Sequence, residues 1–314
     1  MIVVFESVLP VFAVIVLGFA MRKFNMVPKE NWKIVEELCF WLLFPALLIK
    51  TLAQADFSSI ETGPYTTTII VFLCVMAVIG LALWPVLKKL LGTRPEQFST
   101  VYQTMTRWNG FVALIIAIRL YGDDSLALMA ISLALMTLAL QVSNIFVLAA
   151  FTSGNRPSPL NILKTVASNP IIVSTSIGVF INLTGVPVWG PIIATLDLVG
   201  RAALGLSLLT IGAGLSLAAA LRPSKELLVA LIGKLFLSPL IMLACALWLG
   251  IGGLELSVLL VCASVPTAMN GYSITKKMGG DADLYAATAT VQTVAAFITI
   301  PLVLWLGQVY FGAQ

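Results

Sequence analysis

The sequence predicts an all-α polytopic membrane protein of ten transmembrane helices, built as two inverted five-helix repeats in which the fourth and ninth helices are broken. Three observations carry that expectation. The chain of 314 residues is 60% hydrophobic and only 10% charged, with a mean hydropathy of +1.03, against roughly 25% charged residues in soluble domains. It divides into ten apolar stretches, each near the roughly 20 residues that a helix needs to cross about 30 Å of hydrocarbon. Finally, three landmarks recur at nearly one spacing. Pro10 and Gly18 return as Pro170 and Gly178, Asn109-Gly110 as Asn270-Gly271, and "YGDDSLA" (121–127) as "GGDADLY" (279–285). An odd number of helices per half gives the second half the opposite polarity in the bilayer.

The stretches follow in order. The first, 3–21, is followed by Arg22 and Lys23 and not preceded by a basic run, so it reads as a retained helix and not as a signal peptide. The second, 34–53, opens on Glu36 and Glu37, acids that suit a helix N-terminus. The third, 66–88, ends on Lys88 and Lys89, and the fourth, 99–121, holds Arg107 and Asn109-Gly110 inside an apolar run. The fifth, 125–151, carries Gln141 and Asn144, and the sixth spans 161–184. In the seventh, 188–217, Asp197 and Arg201 lie four apart on one face. Its Gly-rich run "TIGAGLSLAAA" (210–220) reads as close helix packing, since no Gly-Lys-Ser/Thr element follows. The eighth, 225–250, places Lys234 deep in the span. The ninth, 255–276, holds Pro266, Thr267 and Asn270-Gly271, and the tenth, 283–310, holds Gln292. The repeats are thus 1–155 and 156–314.

Charge sets the orientation. Arg22, Lys23, Lys29, Lys33, Lys88, Lys89, Arg94, Arg156, Lys164, Arg222, Lys225, Lys276 and Lys277 follow odd-numbered stretches, whereas Asp56, Glu61, Asp123, Asp124 and Glu255 follow even ones. The positive-inside rule then puts both termini on the non-cytoplasmic side. The net charge of +4 reflects that bias, and no nucleic-acid partner is expected. With no histidine in the chain, the commonest general base is missing, and neither a hydrolytic triad nor a His-based metal site can be built. The four cysteines fall inside the spans without metal-type spacing. An enzyme is not expected, nor a bound cofactor; sodium or proton coupling stays open, because a sodium site can be made of backbone carbonyls alone.

The two Asn-Gly pairs mark the candidate site. Asn and Gly are weak helix formers that tolerate left-handed backbone, and Pro266 removes a further hydrogen bond. Breaking a helix in lipid strands backbone groups at several kcal/mol each, which is tolerated only beside protein or a water-filled cavity. The breaks therefore point to an internal substrate site where half-helix N-termini present positive charge to an anion. Candidate substrate residues are Arg107, Asn109, Gly110, Gln141, Pro266, Thr267, Asn270 and Gly271. Arg107 either forks onto a substrate carboxylate or snorkels towards the cytoplasm. Asp197, Arg201 and Lys234 are candidates for ion coupling or countercharge, with a structural Asp197–Arg201 pair as the plainer reading.

The motifs "FPALLIKTLAQADF" (44–57), "RWNGFVALIIA" (107–117), "LDLVGRAALGLSLLTIGAGLSL" (196–217) and "ASVPTAMNGYSITKKMGGDADL" (263–284) resemble the auxin efflux carrier family. That family includes the plant PIN carriers and bacterial malate and malonate permeases, and is related in fold to the bile acid:sodium symporters. The resemblance spans essentially the whole chain. It implies that helices 4 and 9 cross at the midplane and that helices 1, 2, 6 and 7 form a scaffold, dimerising with a second copy. Helices 3–5 and 8–10 would form a transport domain that moves as an elevator. It also implies the crossover roles of Asn109 and Pro266 and a substrate-side place for Gln141. Two departures stand out: Trp108 where many relatives have proline, and Leu48 where plant members have serine, which weakens a case for auxin. The expected function is a secondary carrier of a small organic anion, a mono- or dicarboxylate, in a bacterial inner membrane. The rivals are an anion channel, which needs a continuous polar pore, and a receptor or assembly subunit, which binds without flux.

Overall fold

The computed structural model describes residues 2–28, 30–55, 62–152, 168–221 and 224–313. Several expectations lie outside the described residues: the charges Lys29, Asp56, Glu61, Arg156, Lys164 and Arg222, the start of the sixth stretch, and the boundary at 155/156 between the repeats. Among the described residues every regular element is helical.

The first half begins with α1 (Ile2–Lys23), whose last turn carries Arg22 and Lys23 where the helix dipole favours cations. Next come α2 (Asn31–Leu38) and α3 (Phe44–Ala53), joined by a π turn at Cys39–Leu43. Pro45, the second residue of α3, follows that turn and, having no N–H, gives nothing to the four-residue ladder there. The Phe44 N–H reaches back five residues to the Cys39 carbonyl instead. Then follow α4 (Thr62–Leu91), α5 (Pro95–Thr106), α6 (Gly110–Tyr121) and α7 (Ser125–Phe151).

In the second half α8 (Pro170–Thr184) starts on the pair Asn169-Pro170: the Asn169 Oδ1 accepts the Ile171 N–H at 2.9 Å, and Pro170 needs no partner. After α9 (Gly190–Gly214) and the single turn α10 (Leu217–Ala220) comes α11 (Lys225–Ile232), capped by Ser224. A second π turn, Gly233–Leu237, leads into α12 (Ser238–Trp248), again with proline, Pro239, as the second residue. The last elements are α13 (Gly253–Ser264), α14 (Gly271–Lys277) and α15 (Ala282–Phe311).

Among the described residues six helical runs are long and apolar enough to cross a membrane, one of them the 57-residue run Pro95–Phe151 that contains α5, α6 and α7. The remaining expected spans are shorter or more polar for visible reasons. The second stretch opens on Lys33, Glu36 and Glu37, α8 is described only from Pro170, and α13 stops at its break.

Packing divides the helices into two groups. α1 lies along α9, and α3 lies along α8 and α9. These contacts are backbone to backbone: a Cβ on Gly212 would run into the Ile15 carbonyl oxygen, one on Gly18 into the Leu209 carbonyl, and one on Gly200 would sit 2.8 Å from the Leu47 Cα. α4, α5, α7, α11, α12, α13 and α15 pack among themselves. Side chains bridge the groups, with Phe12 of α1 against Phe297 of α15 at 5.2 Å and Phe44 of α3 stacked on Phe111 of α6 at 3.5 Å.

Candidate functional site

Both Asn-Gly pairs lie at helix breaks. α5 stops at Thr106, Arg107 turns extended (ψ 145), and α6 restarts at Gly110. α13 stops at Ser264, Val265 turns extended (ψ 150), and α14 restarts at Gly271. The breaks meet, because the Asn109 N–H donates to the Pro266 carbonyl at 2.9 Å. Each break thereby satisfies a backbone group that the other strands.

The expected reason for the Asn-Gly pairs needs correcting. Asn109 (φ −98) and Asn270 (φ −59) are not left-handed, and neither Gly110 nor Gly271 has positive φ. Asn109 serves as a cap, its Oδ1 accepting the Val112 N–H at 3.3 Å. The glycines are there for room. A Cβ on Gly110 would lie 2.6 Å from Leu133 Cδ2, and one on Gly271 would collide with the Tyr285 hydroxyl.

Gln292 of α15 closes the hydrogen-bond accounting. Its Oε1 accepts the Thr267 N–H at 3.0 Å, while its Nε2 donates to the carbonyls of Thr104 (2.9 Å) and Ala230 (3.1 Å). One side chain therefore ties the end of α5, the α13–α14 break and the end of α11. Tyr285 adds to this, donating to the Ala268 carbonyl at 2.6 Å and lying 3.2 Å from Thr267 Oγ1.

Beside the breaks is a cavity of about 300 Å³ lined by Arg107, Asn109, Gly110, Gln141 and Asn270, five of the residues singled out in the sequence. Its other walls include Phe40, Trp41, Trp108, Phe111, Leu133 and Leu140, and Asn169-Pro170 at the start of α8. A second cavity of about 300 Å³ shares Phe40, Asn109, Phe111 and Asn270 with it and carries Lys33, Glu36 and Glu37.

The other expected residues sit elsewhere. Pro266, Thr267 and Gly271 are buried in the break itself and line neither cavity. Asp197 accepts from Arg201 Nε at 2.7 Å and lies 3.4 Å from Lys50 Nζ, in a cluster on α9 and α3 remote from the breaks in sequence and lining neither cavity. Lys234 is 1% exposed, within the second π turn, and lines neither cavity.

Arg107 is 6% exposed and takes part in no ion pair among the described residues. Its Nη1 donates weakly to Gln141 Oε1 (3.3 Å) and Asn270 Oδ1 (3.5 Å), two side chains of the cavity wall. Its Nε and Nη2 are buried with no partner. A buried cation without a countercharge is costly, and here it stands two residues before the first turn of α6, whose Gly110 and Phe111 N–H groups have no helical acceptor. The arrangement can receive an anion.

Sequence reasoning missed three contributors: Asn169, the aromatic pair Phe40 and Trp41, and Gln292 as the tie between the breaks. Asn before Pro at the head of an apolar run was a visible cap signal, although nothing in it pointed to a cavity.

Comparison with known proteins places the chain in a family. Over 307 residues, 96% of this chain and 98% of the relative, the sequence is 22% identical to an uncharacterized transporter of Methanocaldococcus jannaschii. Over 300 residues, 95% of this chain and 96% of the relative, it is 25% identical to an uncharacterized transporter of Methanothermobacter thermautotrophicus. Over 311 residues, 95% of this chain and 94% of the relative, it is 26% identical to a Rhizobium meliloti protein named "Putative malonate transporter". The model of the family described as "Membrane transport protein" matches residues 3–165 and 155–304. With nearly the whole chain matched, its apolar helices and the motifs noted above fall into place: the protein belongs to the membrane transport protein family, that of the auxin efflux carriers, and is a multi-pass membrane protein.

Proposed function

We propose that the protein is a secondary carrier of a small organic anion, working by alternating access. The observation that carries the reading is Arg107, a buried cation with two unpartnered nitrogens, no ion pair among the described residues and a place in the wall of a cavity at the head of α6. A carboxylate arriving there gains the guanidinium fork and the free N–H groups of a helix start together. The Nη1 bonds at 3.3 and 3.5 Å are weak enough to exchange for it.

The wider architecture is proposed on the same footing. The breaks occupy the fourth helix of each five-helix half, which supports the inverted repeat with helices crossing at the midplane. The glycine contacts holding α1, α3, α8 and α9 together, against side-chain contacts to the rest, support a scaffold and a transport domain sliding as an elevator. Arg22, Lys23, Lys88, Lys89, Lys276 and Lys277 end helices that close odd-numbered spans, whereas Asp123, Asp124 and Glu255 follow even-numbered ones. That bias supports an inner-membrane location with both termini outside the cytoplasm. Arg201, 74% exposed in the middle of the apolar α9, supports a homodimer in which a second copy covers it.

The test is charge movement by purified protein in liposomes on a solid-supported membrane after concentration jumps of malonate, malate, short monocarboxylates and indole-3-acetate. A substrate-dependent current lost in Arg107→Gln supports the proposal. Equal currents from Arg107→Gln and the parent protein refute the role given to Arg107, and absence of flux for every one of these anions, by current and by radiolabelled counterflow, refutes the carrier.

A further inference from the structure

We infer that the cavity beside the breaks takes its substrate as a monoanion, a single carboxylate on an apolar body, with Arg107 as the countercharge. This rests on the anion-carrier reading and narrows it. Among the described residues lining that cavity, Arg107 is the one with a formal charge. The adjoining cavity adds no positive balance, since Lys33 is outnumbered there by Glu36 and Glu37.

The donors also suit one carboxylate. Gly110 and Phe111 begin α6 immediately after the cap, two and three residues beyond the end of the Arg107-Trp108 step, so guanidinium and free N–H groups lie in one short stretch of chain. At the α8 end of the cavity little is left over. Pro170 has no N–H, the Ile171 N–H is taken by Asn169 Oδ1, and the Val173 N–H by the Asn169 carbonyl. The rest of the wall is mostly apolar, with Phe40, Trp41, Trp108, Phe111, Leu133 and Leu140, and its further polar side chains, Thr137 and Ser168 among them, are uncharged. A monoanion seated on Arg107 leaves the complex neutral and lays its body against these side chains. A dianion leaves its second carboxylate desolvated there with no cation to meet it among the described residues.

The experiment measures binding to the purified full-length protein by quenching of tryptophan fluorescence, Trp41 and Trp108 both lining the cavity. The probes are phenylacetate, butyrate and malonate at matched ionic strength. The parent protein should bind phenylacetate at least about tenfold more tightly than malonate, as expected when one carboxylate lacks a partner. Arg107→Gln should lose phenylacetate binding without a lower melting temperature, because it removes an unpaired buried charge. Thr137→Lys puts a second cation in the wall one helical turn from Gln141 and should move the preference towards malonate. Malonate binding more tightly than phenylacetate in the parent protein, and lost in Arg107→Gln, overturns the monoanion inference and leaves the carrier reading standing. Binding of either probe that survives Arg107→Gln overturns Arg107 as the countercharge and the monoanion inference with it, while the carrier reading is decided separately by flux in liposomes. If Thr137→Lys does not fold, the preference of the parent protein decides alone.

Discussion

Replacing Gln292 by leucine tests whether the two breaks are held together as one unit. The substitution roughly keeps the volume and removes three hydrogen bonds, leaving the Thr267 N–H and the Thr104 carbonyl without this partner, while the Ala230 carbonyl keeps the Gly233 N–H. Thr104, Thr267, Ala230 and Gln292 are all 0% exposed, so water does not replace the amide. An orphaned buried group costs about 1–3 kcal/mol in soluble proteins. Polar contacts between membrane helices average only about 0.6 kcal/mol, because the unfolded chain in lipid also finds partners. Two orphaned groups at the lower end of that combined range give a loss of about 1–2 kcal/mol. Thermal unfolding in detergent would read it as a drop of several degrees, with transport falling further because α5, α11 and the α13–α14 break lose their common tie. Gln292→Glu sharpens the test. It keeps the acceptor for Thr267 but turns a carboxylate towards two carbonyls, so it should be worse than leucine, the reverse of what volume alone predicts. If Gln292→Leu unfolds with the parent protein, or Gln292→Glu outlasts Gln292→Leu, the accounting is wrong.

Three further outcomes follow from the same geometry. Asn109→Asp keeps an oxygen to cap Val112 but sets a negative charge beside Arg107, so liposome flux should vanish while the melting temperature stays near that of the parent; Asn109→Ala should lose the cap as well, about 1 kcal/mol. Gly212→Ala drives a methyl group into the Ile15 carbonyl, a backbone atom that cannot rotate away, and should cost about 1–3 kcal/mol by denaturation. Asp197→Asn leaves Arg201 and Lys50 without their shared carboxylate; cross-linking or light scattering in detergent should show fewer dimers, and an unchanged dimer fraction would remove the case for that face.

Much of the helix layout and both breaks could be read from the chain, because apolar length and the weak helix formers Asn-Gly and Pro are local signals. Asn109 and Asn270 fall at breaks for that reason. The purpose of the glycines could not be read, since Gly271 answers to the Tyr285 hydroxyl and Gly110 to Leu133, each reached only through the fold. The same limit separates the glutamines. Gln141 and Gln292 look alike in sequence, yet one lines the cavity and the other ties three backbone segments together. Arg107 was visible as an intramembrane charge with two open readings; that it has no ion pair among the described residues depends on all the helices around it.

The π turn at Gly233–Leu237 has a bearing on how related chains line up. It spends one residue more than an α turn would, and Pro239, which has no N–H to give the four-residue ladder, stands just after it. With alanine in place of Pro239 the ladder is free to close four residues back, which would swing everything downstream by about 100°. Removing one residue from 233–237 at the same time cancels the swing. Two changes that each misalign the eighth span are thus harmless together, and a homologue lacking the proline should run one residue shorter between its flanking landmarks. A one-residue gap at that column would then record helix geometry rather than drift.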